Sequence, residues 1–514
     1  MIIDTDSSTA PPPAQRYDVC IAGGGVAGIV LAHKLAQHGK RILILEAGDI
    51  DYSDESQSLY EGSNIGREYF DLDTARLRYL GGTSNHWGGW CRPLDRYDFE
   101  KRDYIENSGW PIGLQDVDPY HAAAKEIVEI SDFPSDIPLA GSNGGLKEIF
   151  FNFSPPVRFG DKYKDFLASS KEVDVFLNAN LIDIELDTDN GSVSAFTFRG
   201  YSDDSPVRKS AADKYVLALG GIENARALLN ANRQIPQGIG NETDLVGRYF
   251  MEHIHNTLGY YVMDSSKTRF GDTGRFVSLT SKAMQQTGLT NAGFRLNSLE
   301  SIQDEGVTVN AQETFNRFKL LVQDALCANE VIADYFRTLK TLKCGPRRIW
   351  STDKSSHPDR SGLLRVASEQ IPNRNSRVTI TAKKDRFGLR TAVLDWRLLP
   401  QDKISVRTGA LKIATYMASQ DIGRVKLLPW VLDENNHDFP GVTDGEEVGG
   451  FHHMGTARMG LSKQDSVVDR HCRVHGIKNL YVAGSSVFTT GGHANPTFTI
   501  VQLALRLADH LART

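Results

Sequence analysis

Tyr17-Asp-Val-Cys-Ile-Ala22 runs directly into Gly23-Gly-Gly25-Val-Ala-Gly28, and this junction decides the fold. A short β-type run meets a G-x-G-x-x-G turn. An amphipathic helix then extends to about His38, and Arg41-Ile-Leu-Ile-Leu45 forms a second apolar strand that ends in Glu46. Gly23 permits the tight turn, Gly25 lets a pyrophosphate approach the backbone, and Gly28 lets helix and strand pack closely. An acid closing the second strand can accept hydrogen bonds from ribose hydroxyls. Strand, helix, strand and acid in this order predict a dinucleotide-binding βαβ unit. A glycine-rich turn in an ordinary βαβ unit is the plainer alternative. The chain has no second such fingerprint, so a separate NAD(P)H-docking domain is not expected and electrons should come directly from the substrate.

The glycine-dense loop Arg78-Tyr-Leu-Gly-Gly82-Thr-Ser-Asn85-His86-Trp87-Gly-Gly-Trp90 can lie flat against a planar ring system. His86 is a candidate covalent anchor for such a ring, or simply a histidine hydrogen-bonded within a tight loop. Strands are expected at Val173–Asn178 and Leu181–Leu186. Lys214-Tyr-Val-Leu-Ala-Leu219 then leads through Gly220-Gly221 into a helix, a second strand-to-helix junction. These two glycines either pack the junction or face a ligand.

The C-terminal part carries Gly450-Phe-His452-His453-Met-Gly455-Thr and, further on, Gly484, Gly491-Gly-His493-Ala-Asn495-Pro496-Thr497. The closing helix has apolar positions Ile500, Leu503, Ala504, Leu507 and Leu511. Asn495 followed by Pro496 reads on its own as an N-cap and first helical residue. The first turn of that helix offers free N–H groups and a positive dipole end. Imidazole is suited to taking a hydroxyl proton near neutral pH, which makes His452, His453 and His493 the candidate bases. No G-x-S-x-G hydrolase signature occurs. The tandem histidines lack a nearby carboxylate or cysteine at a ligand spacing, so no metal is expected.

Composition narrows the classes. The 514 residues are 40% hydrophobic and 24% charged, with a formal net charge of −6, which disfavours nucleic acid as a partner. Cys20, Cys91, Cys327, Cys344 and Cys472 are scattered without a C-x-x-C pair, as expected in a reducing compartment. No run of about 18 apolar residues predicts a membrane span, and residues 1–16 lack a secretory pattern. The chain therefore reads as cytoplasmic. Between Phe315 and Leu339 apolar residues recur at helical spacing. This amphipathic stretch, within 311–343, is expected to pack on its own domain, with an oligomer contact, lid or partner surface as alternatives. Ser376–Ile380 and Thr391–Trp396, joined by a turn around 384–388, imply a sheet in a second domain.

Taken together, GGGVAGIVLA with Glu46, GGTSNHW, ALGGIENARALL, VGRYFMEH, HHMGTARMG and NLYVAGSSVFTTGGHANPTFTIVQLA resemble the glucose–methanol–choline (GMC) oxidoreductases. The pattern is similar to the pyranose-oxidase-like, glycoside 3-oxidase and sugar dehydrogenase members. Outside SEQIPNRNSRV and LDW the resemblance is thin between 262 and 440. The resemblance implies an α/β fold: a Rossmann-like FAD-binding domain with a second α+β substrate domain on a mostly antiparallel sheet. The corresponding division is a disordered lead at 1–16; an FAD-binding domain from 17–110, 155–260 and 441–514; and a substrate-binding domain from 111–154 and 261–440. It implies FAD held by Gly23, Gly25, Gly28, Glu46, Gly82, Asn85, His86, Trp87, Gly484, Asn495, Pro496 and Thr497, with His86 where some members attach the flavin covalently. It also implies that His452 is the catalytic base and Asn495 its partner on the substrate oxygen. The expected reaction oxidises a secondary hydroxyl of a small-molecule sugar or glycoside to a ketone by hydride transfer to flavin. Oxygen would reoxidise the flavin, or alternatively a quinone, cytochrome or electron-accepting partner subunit. A homo-oligomer is compatible with the sequence, and a non-catalytic flavin-binding scaffold using the 311–343 stretch is the reading from another class.

Overall fold

The computed structural model describes residues 1–7, 10–13, 16–264, 274–298, 360–442 and 448–514. The 311–343 stretch, Cys327 and Cys344 lie outside them. The first sheet is six-stranded and parallel in every pairing. Its order is Ile2–Asp4, Val173–Leu177, Ile42–Leu45, Tyr17–Ala22, Ala212–Leu217, Leu480–Val482. Of its inner strands, Ile42–Leu45 is a continuous apolar run with every residue buried, the pattern of a strand covered on both faces. The helix Val26–Gln37 buries Ile29, Val30, Leu31, Ala32 and Leu35, and runs beside the C-terminal helix Pro496–Arg513. That second helix contributes Phe498, Val501, Leu505, Ala508 and Leu511 to the same core.

The opening residues differ from expectation. Ile2–Asp4 is not a disordered lead but the edge strand of the parallel sheet, paired in register with Val175–Leu177. Two adjacent isoleucines suit an edge strand. The Asp6 carboxylate then accepts the Tyr201 and Ser202 N–H groups, tying down the turn after it.

A second sheet is seven-stranded and antiparallel throughout, in the order Gly423–Leu427, Ile254–Met263, Arg360–Ser368, Ala292–Ser298, Arg275–Leu279, Leu146–Phe150, Ile137–Pro138. The helix Pro400–Ser419 brings Val406, Ala410, Ile413 and Met417 into the core of this layer. The expected hairpin exists, as Arg377–Lys384 against Arg390–Asp395. It does not join this sheet. It pairs instead with Gly62–Asn64, and Val378, Ala392, Leu394 and Trp396 belong to the larger core around the parallel sheet. The short helices Leu114–Val117 and His121–Val128, expected with the substrate-binding part, also pack against the C-terminal helix in that larger core. No helix among the described residues is long and apolar enough to cross a membrane. Among the described cysteines Cys20, Cys91 and Cys472 are free and buried.

Candidate active site

Three strands of the parallel sheet end in glycine turns at its carboxyl edge, where ligands of open α/β sheets bind. Ala22 is followed by Gly23, Leu217 by Gly220 and Val482 by Gly484. Gly23 and Gly28 are packing positions. A Cβ on Gly23 would stand 2.5 Å from the Ala218 carbonyl oxygen, and one on Gly28 would stand 2.0 Å from that of Gly23. Gly25 is different: a Cβ there meets nothing within 4 Å. It is the N-cap of the helix Val26–Gln37 and has no side chain to satisfy the free N–H groups of the first turn. Gly220 also faces open space, at φ 89°, whereas a Cβ on Gly221 would press 2.3 Å from the His453 carbonyl oxygen. The pair that sequence left ambiguous therefore divides, Gly221 packing and Gly220 free. Gly484, at φ 96°, has Ala27 Cβ at 3.9 Å as its nearest neighbour.

Glu46 is buried, and its carboxylate accepts the Gly24 and Gly48 N–H groups at 2.7 and 2.8 Å. Burial pushes its carboxyl above the usual range, while these backbone donors oppose the shift. The glycine-rich loop closes over the first turn: Gly81 N–H donates to the Gly24 carbonyl at 2.8 Å, and Gly82 lies beside Gly25. Asn85 holds the loop through the Leu80 carbonyl, and Trp87 Nε1 donates to the Val157 carbonyl. His86 stands at the exposed rim. An open cradle beside a helix N-terminus, with a buried acid at the end of the next strand, fits the pyrophosphate and ribose of FAD.

The tandem histidines sit on the third glycine turn. Ser485 Oγ donates to the His453 carbonyl at 2.6 Å, and Gly455 N–H to the Ser485 carbonyl. The two rings have different surroundings. His453 Nε2 meets the Tyr69 hydroxyl at 2.9 Å, and that hydroxyl donates to Glu252 at 2.5 Å. Tyr69 thus spends its proton on the carboxylate and accepts one from His453, which leaves that ring occupied. His452 instead places Nε2 3.0 Å from Asn495 Nδ2, and Nδ1 2.8 Å from Nδ1 of His253. With the Asn495 amide donating, His452 Nε2 carries a lone pair and Nδ1 a proton. His253 then accepts at Nδ1 and directs its Nε2–H toward the Gly491 carbonyl at 3.4 Å.

The Asn495 side chain makes no cap bond to the helix that begins at Pro496. Of the two roles its sequence context offered, the side chain is free for the second. Pro496 is buried and Thr497 half-buried in the first turn. Burial, with the neighbouring imidazoles of His253, His255 and His453, holds His452 well below the usual histidine value of 6.5, so it is neutral near pH 7. His493 is buried with neither ring nitrogen bonded, and packs against Phe151.

Sequence reading missed Glu252, His253, His255 and Tyr69. Glu252 carries the turn: its carboxylate accepts the backbone N–H groups of His253 and His452 at 2.8 and 2.9 Å, and burial raises its pKa to about 7. The Glu252 N–H in turn donates to Gln370 Oε1, which also takes Trp396 Nε1–H at 2.8 Å. This joint ties the SEQIPN and LDW segments to the site. The available signal was the alternation His253-x-His255 at the head of a strand, which puts both rings on one face.

Comparison with known proteins finds two matching family models and several similar proteins. Residues 372–504 match the family model described as GMC oxidoreductase, and residues 21–50 match an NAD(P)-binding Rossmann-like domain. A 2-methyl-1,2-propanediol dehydrogenase from Mycolicibacterium austroafricanum is 23% identical, over 97% of this chain and 96% of its own. A C-glycoside 3-oxidase from Microbacterium trichothecenolyticum is 45% identical over 63 residues, 12% of either chain. Pyridoxine 4-oxidase from Mesorbium loti shares the fold at TM-score 0.60 and 14% identity, covering 96% of this chain and 99% of that one.

Proposed function

We propose that this chain, whose residues 372–504 match the GMC oxidoreductase family model, oxidises a secondary hydroxyl of a sugar or glycoside to a ketone, with His452 and Asn495 as its reacting pair. The observation that carries this reading is the His452 ring, neutral and oriented, with its Nε2 lone pair beside Asn495 and its other nitrogen spent on His253. The short, closer match to a glycoside 3-oxidase supports the sugar class.

The substrate hydroxyl displaces the Asn495 contact at His452 Nε2 and hands its proton to that nitrogen. Asn495 then holds the substrate oxygen, fixing the carbon that loses hydride. His253 keeps His452 in the tautomer that leaves Nε2 basic, and Glu252 anchors the backbone that carries the ring. When bound, the flavin supplies the hydride acceptor. Held in the open cradle, it draws on the Gly23–Gly28 turn, Glu46, the Gly82–Trp87 loop, Gly484 and the first turn at Asn495–Thr497.

The test is an anaerobic screen of free sugars, glycosides and simple primary alcohols, read by flavin bleaching. Pyranosides should bleach the flavin fastest. Bleaching by primary alcohols alone would remove the sugar reading, and no bleaching by any alcohol would leave the non-catalytic scaffold. A second reading, electron delivery to a quinone, cytochrome or partner subunit, draws support from the dehydrogenase similar over nearly the full chain. Aerobic turnover with stoichiometric peroxide would exclude it.

Two further outcomes follow. A base is active when neutral, and His452 is depressed well below 6.5. Protonation of His452 itself should therefore produce an acid limb in flavin reduction that lies well below the usual histidine value. An acid limb at or above 6.5 would contradict the assignment. His86 is the proposed covalent anchor: acid precipitation then gives a yellow pellet, whereas a colourless pellet under a yellow supernatant rejects the bond.

A further inference from the structure

His255 has no part in the proton transfer, yet its ring lies in the same cluster. It stands 6.0 Å from the His452 ring, centroid to centroid, and its Nε2 is buried with no hydrogen-bond partner. An orphaned buried nitrogen costs about 1–3 kcal/mol, so its direction matters. One ligand nitrogen from each of His253, His255 and His452 lies within 4.8 Å of the other two, and the Nδ1 atoms of His253 and His452 are 2.8 Å apart.

We propose that His253, His255 and His452 form a binding site for an imidazole-preferring divalent cation of the Zn²⁺ or Cu²⁺ class, and that occupancy switches the enzyme off. In a tetrahedral Zn²⁺ site with bonds of about 2.0–2.1 Å the ligand nitrogens stand about 3.3 Å apart. The two Nδ1 atoms need to part by about 0.5 Å to reach that spacing, and the His255 ring turns inward. His255 and His452 are only partly buried, so the cluster is not sealed from solvent. Arg295 and Arg365 lie close enough to His255 to oppose a cation. The all-imidazole donor set suits ions that prefer nitrogen and disfavours Mg²⁺ or Ca²⁺, which take oxygen.

Inhibition follows from the tautomer. A neutral imidazole offers one lone pair. When the cation bonds to His452 Nδ1, the proton there leaves and Nε2 takes one up, so the ring remains neutral. Nε2–H cannot accept the substrate's proton, and Asn495 can turn its carbonyl to that N–H. The ion removes the base without filling the sugar site, so it lowers the maximal rate of flavin reduction and leaves substrate binding largely unchanged.

The inhibitory half rests on the function proposed above, whereas ion binding does not, and the experiment separates them. Chelator-treated, FAD-loaded protein is dialysed against Zn²⁺ alone and assayed anaerobically for reduction by a sugar that bleaches it. One Zn²⁺ should bind per chain, the limiting reduction rate should fall at saturating sugar, and EDTA should restore it. His255→Ala should keep its metal-free reduction rate and need at least about tenfold more Zn²⁺ for half-inhibition. His255→Asn provides the same comparison if the alanine variant does not fold. Absence of stoichiometric Zn²⁺ in the wild-type protein overturns the proposal, as does equal Zn²⁺ sensitivity in the His255 variant. Zn²⁺ binding in a protein that no sugar reduces would overturn the inhibitory role while leaving the ion site.

Discussion

His452→Ala keeps its FAD and its fold but loses about three orders of magnitude in the rate of flavin reduction by substrate, the range a positioned general base supplies. FAD is retained because the open cradle at Gly25 and Gly220, with Glu46, stands on other strands than the His452 turn. The fold is retained because Glu252 binds the backbone N–H of position 452, which alanine preserves. The loss should appear in the limiting rate and not in FAD content. His453→Ala serves as a contrast. It breaks the contact with Tyr69 and should lower stability more than the chemical step. Stopped-flow reduction of both variants at several sugar concentrations makes the comparison, and unchanged kinetics in His452→Ala would remove that residue from its role.

Gly25→Val should yield a folded protein with almost no flavin. A Cβ at this position meets no protein atom within 4 Å, and its φ of −85° is open to any residue, so the chain itself tolerates the change. The branched side chain would instead occupy the space through which a pyrophosphate reaches the helix N-terminus. Gly28→Val makes the opposite case. Its Cβ would lie 2.0 Å from the Gly23 carbonyl oxygen, so it should fail at folding. Visible absorbance of the purified proteins, beside circular dichroism, separates the two. Full flavin content in Gly25→Val would place the dinucleotide elsewhere.

The nucleotide-binding half was legible because its signals are local. Gly23, Gly25, Gly28 and Glu46 lie within one βαβ unit of short strands and one helix, so the unit is read from spacing alone. The order of the parallel sheet is less local. Ile2–Asp4 at its edge depends on a partner strand more than 170 residues away in sequence, and a polar, proline-containing lead masks two good strand residues. The hairpin Arg377–Asp395 was readable as a hairpin, yet its sheet was not, because Gly62–Asn64 supplies the third strand. In the candidate site, the residues alone left His452, His453 and His493 open as bases and read Asn495 as a helix cap; the family resemblance singled out His452 and gave Asn495 a second role, and the Asn495 side chain makes no cap bond. His253 and His255 were hidden for the same reason as the edge strand: about 200 residues separate them from the ring they approach.

The most direct measurement is an anaerobic single turnover with a methyl pyranoside, following flavin absorbance and recovering the product. The flavin should bleach and about one keto-sugar should form per flavin, oxidised at a secondary ring carbon, in the wild-type protein but not in His452→Ala. An aldehyde from a primary hydroxyl, or bleaching that proceeds equally in His452→Ala, would contradict the proposed reaction.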